Sequence, residues 1–232
     1  MPLRILYEDD DLVAVDKPPG RIVIPGRGTP EVALRVEGEA SLGPLWVVHR
    51  LDRGTSGALL FARTADAHRA ACRAFEEHRV TKRYIALVRG LLDGERRVEV
   101  AVGPGRRGKM RAGTGGRASH TFVRPLARFP AARGLPDLTL VEAFPASGRT
   151  HQVRVHLAHL GHPLAVDPDY GDGAPLAPDG GGAILERTPL HAASLELLHP
   201  VTGRPLRIEA PMPRDMEEVL SAASGAQASK RG

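Results

Sequence analysis

The sequence predicts an α+β fold with a mixed, largely antiparallel central sheet and flanking helices. Short apolar runs typical of strands are interleaved with helical segments, without the regular strand–helix–strand alternation of a parallel sheet. Most links between the predicted strands are too short for helical crossovers. With 232 residues, 42% of them hydrophobic, the chain can bury one sizeable core. We therefore expect one domain over residues 1–222 and a disordered tail over residues 223–232, which are small and polar.

The strand prediction depends on apolar or alternating segments that end at turn residues. These segments cover approximately residues 12–15, 46–48, 58–62, 84–88, 98–102, 121–123, 138–144, 193–198 and 206–210. Residues 20–45 are rich in glycine and proline, which predicts a long loop with one helical turn.

Helices are predicted where apolar residues recur at helical spacing after a capping residue. Thr64 is the expected N-cap of a helix over about residues 65–79. Thr150 is the expected N-cap of a second helix, which spans residues 150–160 and ends before a glycine. A short helix is expected from about residue 214.

Composition restricts the class of protein. Lys and Arg number 32 against 27 Asp and Glu, and this net charge of +5 is compatible with a polyanionic partner. Aromatic residues make up only 4%, so base stacking would depend on one or two rings. The lone cysteine, Cys72, excludes an internal disulfide and a cysteine-based zinc site, which favours a reducing compartment. We see no signal segment and no apolar stretch of membrane-spanning length, and therefore expect a cytoplasmic protein without membrane association.

Residues 49–57 read HRLDRGTSG and place Asp52 between two arginines, before a glycine-rich turn. The neighbouring cations favour the ionised carboxylate, so Asp52 is a candidate nucleophile or base in a basic cleft. The alternative is an ordinary turn aspartate bonded to the backbone of Thr55 and Ser56.

Residues 148–156 read GRTHQVRVH and form the start of the second predicted helix. Arg154 projects away from the apolar stripe of that helix, where its guanidinium could hold an anion or a carboxylate. The alternative is a solvated helix face. Four histidines in this region also raise a metal-site hypothesis: His151, His156, His159 and His162. Their spacing is not that of a zinc-binding helix, and no Cys or Glu accompanies them.

Two further segments carry candidate contacts. Tyr84 follows Lys82 and Arg83 at the start of a strand, where its ring could stack on a base or lie in the core. Residues 103–117 hold five cations, six glycines and no acid. Such a loop can follow a phosphate backbone, or it can be a solvated hairpin tip. The candidate phosphate contacts of this segment are Arg106, Arg107, Lys109 and Arg111.

These motifs together resemble the RluA family of RNA pseudouridine synthases. The resemblance covers residues 5–213 and includes, in the family's order, the segments 12–20, 49–57, 82–90 and 148–156 and the residues around Leu190 and His199. It implies the pseudouridine synthase fold with a catalytic cleft. Because the first motif begins so near the start of the sequence, we expect the compact form without an S4 RNA-binding domain.

The resemblance also implies residue roles. Asp52 would be the catalytic carboxylate, Tyr84 would stack on the target base and assist removal of the proton at C5, and Arg154 would pair with Asp52 and orient it. Residues expected to contact substrate or RNA are Arg50, which in relatives enters the space left by the base, His49, and Leu190. One departure from the family pattern is Ala165-Val166-Asp167, where a glycine more often precedes the aspartate.

The implied function is isomerisation of a specific uridine to pseudouridine in structured RNA, with the base flipped out of its stack. Ribosomal RNA and tRNA stem-loops both fit. We expect no cofactor, no metal, no obligatory protein partner and a monomeric enzyme. Two other classes stay open from the residues alone: an RNA-binding protein without catalysis, and a hydrolase that uses Asp52 with His49 or His151.

Overall fold

The computed structural model describes residues 3–25, 31–182 and 184–228, with the side chains of Arg107 and residues 226–228 outside that description. Within it, the strands are β1 Arg4–Glu8, β2 Leu12–Lys17, β3 Trp46–Val47, β4 Ser56–Ala62, β5 Thr81–Arg89, β6 Arg96–Glu99, β7 Val102–Pro104, β8 Met110–Ala112, β9 His120–Phe129, β10 Leu138–Pro145, β11 Leu190–Leu198 and β12 Pro205–Glu209. The helices are α1 Leu34–Leu42, α2 Ala65–Glu76, α3 Gln152–His159 and α4 Arg214–Ala228. None of the helices in this part of the chain is long and apolar enough to cross a bilayer.

The chain divides into two compact units. The first unit comprises residues 1–83 and 192–211, and the second comprises residues 84–191 and 212–232. Strands β5 and β11 therefore each contribute residues to both units.

The first unit is built on antiparallel strands with a buried centre. Strand β2 pairs with β1 and β4, β3 also pairs with β4, and β11 pairs with β12. Every residue of β4 is buried. Helix α2 packs its small residues Ala67, Ala71 and Ala74 into the same apolar cluster as Leu60 and Leu195. The predicted cap is confirmed, since Thr64 Oγ1 accepts a hydrogen bond from Ala67 N–H at 3.2 Å.

The second unit is also antiparallel. Strand β10 lies between β5 and β9, β9 pairs with β6, and β7 and β8 form a separate hairpin. Helix α3 contributes Val153 and Leu157 to an apolar cluster that contains Val123, Val141 and Ala143 of the sheet. The predicted α+β class with a largely antiparallel sheet is thus confirmed, since all these pairings are antiparallel.

Several local predictions were wrong. Helix α3 begins at Gln152, after the left-handed N-cap His151, so Thr150 is not the cap. Residues 34–42 form a nine-residue helix in the segment expected to be mostly loop.

The expected disordered tail needs a similar correction. Helix α4 continues through Ala228 and buries Met216, Val219 and Ala223, so the start of that segment is helical. Small residues such as alanine and serine are compatible with a helix once an apolar face anchors its first turns. Residues 229–232 lie outside the described residues.

Candidate active site

Asp52 lies in a turn whose backbone carbonyls are bonded to the buried side chain of Lys17. Lys17 is 0% exposed, and its Nζ donates to the carbonyl oxygens of Pro18 at 3.0 Å, Arg53 at 3.2 Å and Thr55 at 2.7 Å. The Thr55 N–H donates to Asp52 O at 3.1 Å and closes the turn. A buried ammonium group needs acceptors on several sides, and these three carbonyls therefore fix the path of the backbone around Asp52. The Asp52 side chain itself is half-buried.

Gly57 ends this turn at a point of very close backbone approach. Its φ is +109°, and a Cβ atom there would lie 2.3 Å from Ala192 O, within the same unit. The glycine of the motif is therefore required both by its backbone conformation and by the space available.

His49 supports the turn rather than carrying charge. Its Nε2 accepts a hydrogen bond from Leu60 N–H at 3.0 Å, and its ring stacks on Phe75 with 4.7 Å between centroids. Burial, together with the nearby Lys82, lowers the pKa of His49 to about 3. A neutral imidazole engaged in this way gives His49 a structural role in the first unit.

We expect His49 to make the protein acid-sensitive. Its folded-state pKa lies below the value of about 6.5 of an unfolded chain, so the unfolded state binds the proton first. As the pH falls from about 6.5 towards 3, the free energy of unfolding should decrease by up to about 1.4 kcal/mol per pH unit. His49→Gln keeps an acceptor for Leu60 without a titrating ring and should flatten this dependence. Urea unfolding at several pH values measures it, and an unchanged pH profile in the variant would contradict the assignment.

The two arginines beside Asp52 differ in their contacts. Arg53 Nε donates to Gly20 O at 3.0 Å, and its Nη2 lies 3.3 Å from Glu31 Oε2. Arg50 is exposed, and the Arg53 side chain is 68% exposed despite these contacts. Both cations of this turn are therefore open to solvent.

Tyr84 and Leu190 belong to one apolar cluster of the second unit. Tyr84 lies on β5 opposite Ala143 of β10 and is half-buried, with its ring packed against the cluster. Leu190 is 3% exposed and is a member of the same cluster. Tyr84 therefore packs against the core of the second unit without being fully buried, and its stacking on a base stays a prediction.

Arg154 is buried and ion-paired, which excludes the solvated-face interpretation. Its side chain is 7% exposed, with Nε 2.9 Å from Asp167 Oδ2 and Nη2 2.7 Å from Asp167 Oδ1. The same Nη2 lies 2.8 Å from Asp169 Oδ2. Burial alone would raise the pKa of Asp169, but hydrogen bonds from Arg154 and Lys109 hold it below its usual value. The pairing with Asp52 that the resemblance implies stays a prediction.

Asp167 is one of the residues of this site that motif analysis missed. It is completely buried and accepts two bonds from Arg154, so it balances the guanidinium charge inside the second unit. The sequence marked only the residue before it as a departure from the family pattern.

Residues 102–117, which we call the basic hairpin, form a hydrogen-bonded hairpin rather than an irregular loop. Strands β7 and β8 pair across it, and Lys109 at its tip lies 3.4 Å from Asp169 Oδ1. Arg111 donates to the carbonyl oxygens of Pro104 and Thr114. Arg106 is exposed, and the side chain of Arg107 lies outside the described residues. The side chains that are expected to contact phosphate therefore differ in how far ion pairs and hydrogen bonds within the protein restrain them.

Three of the four histidines of the metal hypothesis are bonded to other groups, and His159 is exposed. His151 Nδ1 lies 2.7 Å from Tyr170 Oη, and His162 Nδ1 lies 2.9 Å from Arg89 O. His156 is buried between Thr121 Oγ1, 2.8 Å from its Nδ1, and Val100 O, 3.0 Å from its Nε2. No cluster of three His, Cys, Asp or Glu side chains suited to a metal occurs among the described residues.

Comparison with known proteins identifies the class of enzyme. The family profile described as RNA pseudouridylate synthase matches residues 11–159, which include the Asp52 turn, Tyr84 and Arg154. The chain is 39% identical over 237 residues to the ribosomal large subunit pseudouridine synthase D of Xanthomonas campestris, covering 96% of this chain and 70% of that protein. It is 40% identical over 228 residues to the synthase C of Vibrio cholerae, covering 94% and 68%.

A solved structure shares the fold. The human RNA pseudouridylate synthase domain containing 1 aligns with a TM-score of 0.73 and 25% identity, over 96% of this chain and 95% of that one. The fold and the motifs thus define a pseudouridine synthase, an isomerase. More narrowly, the chain belongs to the RluA family of these enzymes.

Proposed function

We propose that the chain converts a specific uridine to pseudouridine in ribosomal RNA, with Asp52 as the catalytic carboxylate and with the target base flipped out. The main support for the proposal is the position of Asp52, which is half-buried in a turn whose backbone is hydrogen-bonded to Lys17. Ribosomal RNA is preferred over tRNA because the bacterial relatives described above are named for the large ribosomal subunit. Such a substrate fits the cytoplasmic location expected from the sequence.

The reaction requires few groups. The N1–C1′ bond of uridine breaks, the uracil turns, and a C5–C1′ bond forms while the proton on C5 is released and one is taken up at N1. The process is redox-neutral, so a carboxylate, a proton acceptor and an enclosed pocket are sufficient. Attack of Asp52 on the sugar, its attack on C6, and its removal of the C2′ proton all use the ionised carboxylate.

The free-energy cost of base flipping explains why an aromatic side chain and several basic side chains are needed. Extruding a base costs a few kcal/mol and is least costly in RNA loops. Stacking on Tyr84 would return about 1–3 kcal/mol. Arg50, Arg106, Arg107, Lys109 and Arg111 would add phosphate contacts, which makes RNA binding weaken as salt increases.

Tyr84→Phe tests whether the tyrosine hydroxyl takes part in proton transfer. The ring and its stacking are kept, so we expect RNA affinity within about twofold of wild type. Turnover should fall by at least about tenfold, since general acid–base groups contribute two or more orders of magnitude. Tritium release from 5-tritiated uridine in RNA measures the rate. Wild-type turnover in Tyr84→Phe would restrict this residue to stacking, and Tyr84→Leu should then be the variant that loses affinity.

The hydrolase alternative has less support. Burial lowers the pKa of His49 to about 3, which makes it a weak base, and its Nε2 lone pair already accepts a hydrogen bond from Leu60 N–H. The target is best identified by mapping pseudouridines in ribosomal RNA and tRNA from a deletion strain. Loss of one pseudouridine, restored by wild type and not by Asp52→Asn, would establish both substrate and catalysis, whereas restoration by Asp52→Asn would contradict the proposal.

A further inference from the structure

A short turn connects Arg154 to the basic hairpin. The Asp167 carboxylate, which holds the Arg154 guanidinium, also accepts hydrogen bonds from the backbone N–H groups of Asp169 at 3.0 Å and Tyr170 at 3.2 Å. We call residues 167–170 the aspartate turn. A single buried carboxylate therefore sets the positions of both Arg154 and Tyr170.

Tyr170 touches Arg154 with its ring and the basic hairpin with its hydroxyl. The guanidinium carbon of Arg154 lies 4.9 Å from the centroid of the Tyr170 ring. The hydroxyl accepts a hydrogen bond from Met110 N–H at 2.9 Å and lies 2.7 Å from His151 Nδ1, to which it can donate. A cation on a ring face gains from the quadrupole of the ring, so the plane of Tyr170 restricts where the guanidinium can lie.

A second bridge runs parallel to the first. Lys109 Nζ donates to the carbonyl oxygens of Pro168 at 3.4 Å and Asp169 at 3.2 Å, and lies 3.4 Å from Asp169 Oδ1. The other oxygen of Asp169 contacts Arg154 Nη2 at 2.8 Å. Adjacent residues of the hairpin tip, Lys109 and Met110, thus both reach groups that touch Arg154.

The start of α3 shows that this arrangement is enforced. His151 has a φ of 56° and is the N-cap residue of the helix that carries Arg154, without a side-chain cap bond. A non-glycine residue in the left-handed region persists only where its surroundings hold it. The His151 ring meets the Tyr170 ring edge-on at 5.6 Å, with an interplanar angle of 80°, so Tyr170 provides part of that support.

We propose that Tyr170 is a positioning residue that couples the seating of the basic hairpin on RNA to the orientation of the Arg154 guanidinium. The proposal rests on the proposed function, because it assumes that Arg154 acts in uridine isomerisation and that the hairpin contacts RNA. RNA that binds the hairpin tip changes the positions of Met110 and Lys109. Because Met110 is bonded to Tyr170 and Lys109 to Asp169, this change reaches the Arg154 guanidinium. Isomerisation is thereby favoured when a structured RNA is correctly bound.

Tyr170→Phe tests the coupling with little disturbance of packing. The ring under Arg154 is kept, while the bonds to Met110 and His151 are lost. We expect kcat for tritium release to fall about tenfold, the size of effect of one well-formed hydrogen bond. KM and RNA affinity should stay within about threefold of wild type. Tyr170→Leu also removes the ring face and should reduce kcat further than Tyr170→Phe does.

Tyr7→Phe is the matched control, because Tyr7 donates to Asp9 in the first unit and has no proposed role in the reaction. Tyr7→Phe should leave kcat unchanged, while it shifts the unfolding temperature by about as much as Tyr170→Phe does. Unchanged kcat in Tyr170→Phe, or a raised KM with unchanged kcat, would overturn the positioning role. Inactivity of the wild-type chain on ribosomal RNA would overturn the proposed function and the coupling together, so the two failures can be distinguished.

Discussion

Asp52→Asn should abolish tritium release from 5-tritiated uridine in RNA, with a loss of at least about a thousandfold. The amide has nearly the same size as the carboxylate but is neither a nucleophile nor a base. RNA affinity should remain within a few-fold of wild type, since binding depends on stacking and on phosphate contacts. The backbone of the turn is held by the Lys17 ammonium group, which the substitution leaves in place, so most of the stability should also be kept.

Asp66→Asn is the matched control for that experiment. Asp66 is an aspartate on α2 whose side chain is 83% exposed, so its conversion to the amide should change neither rate nor binding. Full activity in Asp52→Asn would exclude Asp52 as the catalytic carboxylate. Retained RNA binding by a wild-type chain that is itself inactive would instead support the RNA-binding protein without catalysis.

Local sequence signals were sufficient where the structure depends on neighbours in the chain. The cap of α2 by Thr64 was predictable because a threonine before an amphipathic segment satisfies free N–H groups of the first turn. The alternating pattern of residues 138–144 likewise predicted β10. The turn around Asp52 was predictable because its glycines indicate a tight backbone path, and Gly57 does have a positive φ.

Partners distant in the sequence could not be predicted from such signals. Helix α3 is buried from Gln152 to Leu157, so the position of Arg154 off the apolar stripe did not mark an exposed face. A buried Arg154 guanidinium requires a carboxylate as its ion-pair partner, and the periodicity of the sequence does not indicate which carboxylate that is. The role of Lys17 could not be predicted either, because it donates to backbone carbonyls, two of them more than thirty residues away in the sequence.

Asp167→Ala should cost about 3–5 kcal/mol of the free energy of unfolding. The substitution leaves the buried Arg154 guanidinium without its bidentate partner, and loss of one member of a buried pair typically costs this much. It also removes the acceptor for the N–H groups of Asp169 and Tyr170, which loosens the aspartate turn. A domain of ordinary stability retains only about 5–15 kcal/mol, so the effect is large. Equilibrium unfolding in urea measures it directly.

Asp172→Ala provides the comparison, because Asp172 pairs with Arg89 at 3.1 Å but its side chain is 55% exposed. Screening by solvent should limit its cost to about 0–1 kcal/mol. If the large effect arises from an uncompensated charge, Arg154→Met combined with Asp167→Leu should be more stable than Asp167→Ala alone, although it removes more ionic contacts. A double variant less stable than the single one would mean that the pair contributes favourably beyond charge compensation. An Asp167→Ala protein within about 1 kcal/mol of wild type would show that Asp169 and the other contacts of Arg154 suffice to keep its charge buried.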